Sequence, residues 1–359
     1  MAISTQIQLA RRPAGWPTHD DFHATTVKYG PLEPGEIRVA NEFLSVDPYM
    51  RRRMNDVKSY VPPFALGETM TGGAIGRVIE STVDDIPVGA VVLHQYGWRD
   101  IVQEPARGFR VVPEVPGHPL SIYLGMLGLT GMTAYVGLTA IAGLKPGDDV
   151  FVSGAAGAVG TAVGQIAKLL GAGRVVGSAG TPEKIALLTE KYGYDAAFNY
   201  KNGSVSRQLA QVAPDGIDVF FDNVGGDHLE AALHAFKTRG RAALCGAIAS
   251  YNDTAATPGP RNMSNIVTRG LTLKGFTLPS YNHLLPEFTE HMTAWLTAGD
   301  IAYDETVING IDNAVDAFLG MMRGENIGKM LVAHEHGVVG DRAARSRRAV
   351  MTLAPSSRG

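Results

Sequence analysis

Between Asp149 and Leu278, short apolar runs alternate with stretches whose apolar residues recur at three- and four-residue spacing. The runs Val150–Ser153, Arg174–Ser178, Ala196–Tyr200, Ile217–Asp222, Arg241–Cys245 and Leu271–Thr277 read as strands. The intervening Thr161–Leu170, Glu183–Tyr192, Ser204–Val212, Leu229–Phe236 and Asn262–Thr268 read as helices, and Pro182 stands where a first helical turn accepts it. Strand–helix alternation with short connections predicts parallel strands joined by right-handed crossovers, hence a doubly wound α/β domain.

The first 120 residues follow another rhythm. Glu36–Leu44, Ala74–Glu80, Ala90–Gln95 and Gly108–Val112 are β-like runs separated by Pro/Gly clusters, with no long helical period between them. They predict an all-β domain built as a partly open barrel. After Thr297-Ala298-Gly299-Asp300 come a strand at Glu305–Ile308, a helix over Asp312–Arg323 and a strand at Met330–Ala333, too little to fold alone. Ile122–Leu144 contains no charge and is long enough on paper to cross a bilayer. Its five glycines favour a closely packed, buried helix pair instead.

Composition narrows the classes. With 359 residues, 45 % hydrophobic and 19 % charged, the chain is an ordinary globular protein of about two domains. A net charge of −3 gives no reason to expect nucleic acid or an anionic membrane as partner. The single cysteine, Cys245, excludes an intrachain disulfide framework and a cysteine-based zinc site. The first fifteen residues lack the apolar core of a secretory signal, so a cytoplasmic location is expected. The stretch 337–359 carries five arginines against one acid and reads as a mobile basic tail.

The strongest chemical signal is Phe151-Val152-Ser153-Gly154-Ala155-Ala156-Gly157-Ala158-Val159-Gly160, where a predicted strand runs through small residues into a predicted helix. Small residues admit a pyrophosphate to the backbone, and the helix start supplies unpaired N–H groups. Ala155 stands where the G-x-G-x-x-G pattern has its first glycine, and Gly160 is expected to let helix and strand approach. The second strand ends Val176-Gly177-Ser178-Ala179-Gly180-Thr181, with no carboxylate before Glu183 to bind a ribose 2′-hydroxyl. The Ser178 hydroxyl and Lys184 suit a 2′-phosphate, which favours NADPH over NADH. Asp222-Asn223-Val224-Gly225-Gly226 and Cys245-Gly246-Ala247-Ile248 follow later strands, at the edge where such sheets bind ligands. Asn223 is placed there to bond ribose or carboxamide.

Those motifs, together with Phe43-Leu44-Ser45-Val46-Asp47-Pro48-Tyr49-Met50-Arg51-Arg52-Arg53-Met54, resemble the medium-chain dehydrogenase/reductase superfamily. Within it the chain is similar to the zinc-independent prostaglandin reductases, leukotriene B4 12-hydroxydehydrogenases and NADPH-dependent alkenal and curcumin reductases. The similarity runs from about residue 3 to 335. It implies a GroES-like domain over 1–125, completed by 310–335, and a Rossmann NADP-binding domain over 126–309. It also implies a homodimer. Cofactor contacts would fall on Ala155, Gly157, Ala158, Val159 and Gly160, then on Lys184, Tyr200 and Asn223. Cys245, Gly246, Ala247, Ile248 and Tyr251 would follow, with Phe276, Thr277, Leu278 and Asn326 completing the set. Tyr49 and Tyr251 would flank the nicotinamide cleft.

Zinc-dependent relatives carry Gly-His-Glu and a four-cysteine lobe. Here the stretch is Leu66-Gly67-Glu68-Thr69-Met70, without histidine, so no metal is expected. His334-Glu335-His336 is read as surface residues. The implied reaction is reduction of the carbon–carbon double bond of an enone or enal. Hydride from NADPH goes to the β-carbon, charge develops on the carbonyl oxygen, and a proton completes the α-carbon. Tyr251 is the expected polariser or proton donor, with Tyr49 shaping the pocket. A quinone reductase and a non-catalytic NADPH-binding protein are the alternatives.

Overall fold

The computed structural model describes residues 2–334; the basic stretch 337–359, with Glu335 and His336, lies outside them. The chain gathers into two compact units, one formed by Met1–Leu124 with the described residues from Glu305 onward, the other by Gly125–Asp304.

In the first unit, β1 (Ala2–Leu9) and β2 (Phe22–Tyr29) form an antiparallel pair in register from Ala2 opposite Tyr29 to Leu9 opposite Phe22. Then come β3 (Glu36–Ser45), the one-turn helix α1 (Tyr49–Arg53), β4 (Ala74–Ser81), β5 (Val91–His94), β6 (Ile101–Pro105) and β7 (Arg110–Val111). The ten-residue β3 organises this unit. It pairs antiparallel with β4 along most of its length, and residues 36–40 pair with β6. Its inward Ile37 and Val39 meet Val78, Val92 and Val102 in one apolar cluster.

Three strands, β1, β2 and β6, have no counterpart in the hydrophobic pattern. In β1 the buried set includes Ser4 and Gln6, which breaks the apolar alternation that marks a half-buried strand. Both are compensated: Ser4 Oγ donates to the Ile101 carbonyl (2.7 Å) and Gln6 Nε2 to the Tyr29 hydroxyl (2.9 Å).

The charge-free stretch divides into a 3-10 turn (Leu120–Leu124), α2 (Leu129–Val136) and a π turn (Gly137–Ile141). One helix with an irregular extension thus replaces the expected helix pair. Gly137 lies directly against the Phe221 ring, so the small residues serve close packing. No helix among the described residues is long and apolar enough to cross a membrane.

The second unit continues with β8 (Asp149–Val152), α3 (Ala158–Leu169), β9 (Arg174–Ala179), α4 (Pro182–Glu190) and β10 (Ala196–Asn199). After these come α5 (Val205–Val212), β11 (Ile217–Asp222), α6 (Gly226–Ala235), β12 (Phe236–Leu244), α7 (Ser264–Arg269), β13 (Thr272–Gly275) and α8 (Leu285–Ala298). The sheet order is β10-β9-β8-β11-β12-β13, every pair parallel. This is the doubly wound order, whose direction reverses between β8 and β11, so the carboxyl ends of those two strands mark the ligand crevice. Phe151 at the centre stacks between Phe220 (5.0 Å) and Phe198 (5.8 Å).

The chain then returns to the first unit as β14 (Glu305–Asn309), α9 (Ala314–Met322) and β15 (Lys329–Ala333). β14 and β15 are parallel, and β15 adds antiparallel to residues 43–45 of β3.

Candidate active site

The turn after β8 is built to expose backbone. Ser153 is buried and its hydroxyl donates to Asp222 Oδ1 at 2.8 Å. Gly154 has φ +61°, a conformation glycine adopts without penalty. The Ala155 amide donates to the Ser178 carbonyl at 2.9 Å, tying the turn to the end of β9. α3 then starts with Gly157 at its N-cap and no side chain capping it. The N–H groups of its first turn have no carbonyl behind them and form an anion-binding end.

Gly160 does something other than bring helix to strand. A Cβ there would lie 2.5 Å from the carbonyl oxygens of both Gly154 and Ala155, so the missing side chain seats α3 on its own turn. Close approach to neighbours occurs at Gly164, against the Tyr194 ring, and at Gly177, where a Cβ would fall 2.7 Å from that of Ala155. The methyl of Ala155, at the position of the usual first glycine, is accommodated because Gly177 offers none.

At the end of β9, Thr181 caps α4, its hydroxyl accepting from the Lys184 amide at 3.3 Å. The Ser178 hydroxyl is fully buried and has no hydrogen-bond partner among the described residues, an orphan on the ligand edge of the sheet. Burial, and after it the like charge of Lys201, hold the Lys184 ammonium below its usual pKa. Tyr200, 38 % exposed, rests edge-on against the ring of His228 at 5.4 Å between centroids. His228 is buried beside Phe151, and desolvation pushes its pKa down to about 4. Neither Lys201 nor His228 carries a signal in the linear motif.

The loops after β11 and β12 close on each other. Asp222 is buried and accepts from the amides of Val224 (3.0 Å) and Gly225 (2.8 Å). Burial raises its carboxyl pKa, against those bonds. Asn223 donates Nδ2 to the Ser153 carbonyl at 2.8 Å, which leaves its amide oxygen as the acceptor for a ligand. Cys245 and Gly246 donate their amides to the Asp222 carbonyl, and Ile248 donates to that of Asn223. The Cys245 thiol is pushed up to about 12 by burial and by Asp222, so it is inert at neutral pH.

Tyr251 ends the 3-10 turn Ile248–Ser250, and its Oη accepts from the Ala247 amide at 3.4 Å. A Cβ on Gly246 would stand 3.3 Å from that oxygen and 3.2 Å from the Asn223 carbonyl. Asn223, Gly246, Ala247 and Tyr251 are therefore brought together. Phe276 packs edge-on between Phe221 and Tyr281 and supports this edge, while Thr277 precedes the 3-10 segment Leu278–Leu284.

Two expected residues belong to the first unit. Asn326 Nδ2 donates to the Gly328 carbonyl at 2.8 Å and shapes the turn before β15. Tyr49 opens α1, its phenol pKa raised by burial and by Asp47, against the cation of Arg53. Arg53, which the motif did not single out, lies 3.9 Å over the Phe64 ring and donates Nε to the Pro62 carbonyl at 3.0 Å. His334, expected at the surface, is buried, and its amide bonds the Glu42 carbonyl at 2.9 Å. Glu68 sits exposed in a turn, and among the described residues no group of three or more His, Cys, Asp or Glu is placed to hold a metal ion.

Both units match known families. The family described as the N-terminal domain of oxidoreductase matches residues 5–112, and the one described as zinc-binding dehydrogenase matches residues 158–297. A Bacillus subtilis protein named putative NADP-dependent oxidoreductase YfmJ is 43 % identical over 334 residues, covering 92 % of this chain and 98 % of that protein. The chain belongs to the zinc-independent medium-chain dehydrogenases/reductases. This medium-chain reductase is also 40 % identical to the 2-alkenal reductase (NADP(+)-dependent) of Nicotiana tabacum, across 91 % of its own length and 96 % of the relative's. It superimposes on the crystal structure of CurA from Vibrio vulnificus in complex with NADPH with a TM-score of 0.87, at 40 % identity, covering 92 % and 99 % of the two chains. The zinc in the second family's description has no counterpart in the medium-chain reductase's own side chains, since the Gly-His-Glu histidine and the lobe cysteines are missing from the sequence.

Proposed function

We propose that the protein is an NADPH-dependent reductase of the carbon–carbon double bond of α,β-unsaturated ketones and aldehydes. The observation that carries this reading is the convergence of Tyr251 Oη, Gly246 and Asn223 at the carboxyl edge of the sheet, beside a glycine turn open to a diphosphate. The residues fit the group: α3 offers unpaired amides, and the orphaned Ser178 hydroxyl and the free acceptor of Asn223 lie on the same edge. When bound, NADPH supplies the hydride that adds to the substrate's β-carbon.

The protein's part is to polarise and to deliver a proton. Tyr251 Oη accepts from the Ala247 amide, which fixes the phenol oxygen beside Gly246. A phenol so held stabilises the charge that develops on the carbonyl oxygen as the enolate forms, and provides a proton source for the α-carbon. Tyr49 in the first unit carries another buried hydroxyl. Its raised pKa keeps it protonated at neutral pH, hence a donor and not a base.

NADPH oxidation followed by absorbance across enones, enals and quinones, repeated with NADH, tests this reading. Enones and enals should turn over with NADPH preferred, and Tyr251→Phe should lower kcat on them by at least about tenfold. Unchanged turnover in Tyr251→Phe removes that residue from the chemistry. Consumption confined to quinones, which need no protonation at carbon, overturns the substrate class.

We also propose that the chain pairs with a second copy through β13. That strand ends the parallel sheet with its outer backbone edge unpaired among the described residues, and Val267, in the preceding α7, is 83 % exposed. Light scattering should return twice the 38.1 kDa chain mass; the single mass would refute pairing.

A further inference from the structure

Arg53 ends α1 and is half-buried. The loop that follows folds back on it. The Phe64 amide donates to the Arg53 carbonyl at 2.7 Å, while Arg53 Nε donates to the Pro62 carbonyl at 3.0 Å and Nη1 to that of Thr71 at 3.4 Å. The guanidinium also hydrogen-bonds the Tyr49 hydroxyl and lies over the Phe64 ring. Three acceptors against five N–H donors leave donors over.

None of these partners supplies a negative charge. Among the described residues Arg53 makes no ion pair with a carboxylate. Asp47, at the start of the same helix, is held by Lys329 at 3.1 Å, and Asp56 stands 3.6 Å from Arg12. Burial lowers the guanidinium pKa, and the groups that oppose this are the phenols of Tyr49 and Tyr60, not acids. An arginine keeps its charge at neutral pH even so. A partly desolvated cation without a counter-ion costs free energy in the ligand-free protein, and the cost is relieved when an anion arrives. The planar fork of a guanidinium matches a carboxylate. The same loop carries Val57, Tyr60 and Leu66, three large apolar side chains exposed to water.

We propose that Arg53 is a specificity residue that binds the carboxylate of an anionic substrate, an enone or enal whose apolar chain ends in that group. This rests on the reductase reading of the preceding section and names a substrate class within it. Val57, Tyr60 and Leu66 cover the methylene chain. Arg53 does not act on the reacting atoms, so its effect belongs in KM and not in kcat.

Steady-state reduction of 10-oxoundec-8-enoic acid and of its homologues longer by two and by four methylenes, each beside its methyl ester, tests the proposal. In the wild type the acid of best-fitting length should have a KM about tenfold below that of its ester. That advantage should shrink as salt is raised. Arg53→Met should raise the acid's KM about tenfold, with kcat unchanged within about twofold and the ester unaffected. Arg53→Lys should recover part of the loss, because it keeps the charge without the fork. A KM that rises equally for acid and ester in Arg53→Met assigns the residue to holding the loop and overturns the proposal. Equal KM values for acid and ester in the wild type at all three lengths overturn it without any variant. Failure to reduce acids and esters alike overturns the reductase reading, and this proposal with it.

Discussion

Gly160→Val should lose dinucleotide binding, with NADPH affinity falling at least about 100-fold, or about 2.8 kcal/mol. The reason is space. Gly160 already has two carbonyl oxygens 2.5 Å from where a Cβ would stand, both belonging to the turn that must cradle the diphosphate. The Gly154 carbonyl cannot rotate away freely, because it accepts the Gly157 amide and the Ala155 amide of the same peptide plane is fixed to the Ser178 carbonyl. The start of α3 must therefore move outward, taking its unpaired N–H groups off the phosphate. Fluorescence titration with NADPH measures the loss, and far-UV circular dichroism should stay close to wild type. Gly160→Ala should fall between the two. A Gly160→Val protein that binds NADPH with native affinity would place the cofactor elsewhere.

The second large effect is expected in the other unit. Lys329, on β15, is 4 % exposed and reaches the Val46 carbonyl (2.7 Å), the Met330 carbonyl (2.9 Å) and the buried Asp47 carboxylate (3.1 Å). Asp47 also accepts the Ser45 hydroxyl and stands two residues before Tyr49. Lys329→Met leaves that carboxylate buried without its counter-ion and should cost about 3–5 kcal/mol of stability. Combining it with Asp47→Asn should restore much of the loss, because removing both charges together avoids the orphan. Urea unfolding of the two single variants and the double variant measures the coupling. Purely additive losses would show that the pair is not a unit. The same linkage explains how a strand near the end of the described chain fixes the turn that presents Tyr49.

The parallel sheet was legible because its central strands β8, β9 and β11 are buried on both faces and read as nearly continuous apolar runs, and its crossovers are short. The first unit was harder. β1 puts Ser4 and Gln6 inside, and β6 contains Gln103, Glu104 and Pro105, so neither shows an apolar alternation. α8 was readable in principle, since Phe288, Met292 and Leu296 recur every four residues on its buried face. Threonines and histidine between them, with Pro286 at its start, masked the period.

In the site, the glycine turn and Asn223 could be read from local order, because one strand–turn–helix holds each of them. Lys201, His228 and Arg53 could not, because their relevance comes from contacts between loops: Lys201 to Gly180, His228 to Tyr200, Arg53 to Phe64. Gly160 was identified by position and misjudged in purpose. The motif specifies a small residue there, but only the packing shows that it faces its own turn. His334 was misjudged for a related reason: closeness to the end of the described chain says little about burial when the preceding residues form a strand paired with β3.

The central claim is that hydride passes from a nicotinamide ring to the β-carbon of a polarised double bond. Reduction of an enone in ordinary water with NADPH dideuterated at nicotinamide C4, followed by NMR of the product, tests it directly. One deuterium at the β-carbon and a solvent-derived hydrogen at the α-carbon is the predicted result. Deuterium on the carbonyl carbon of an alcohol product, or none in any product, would contradict it.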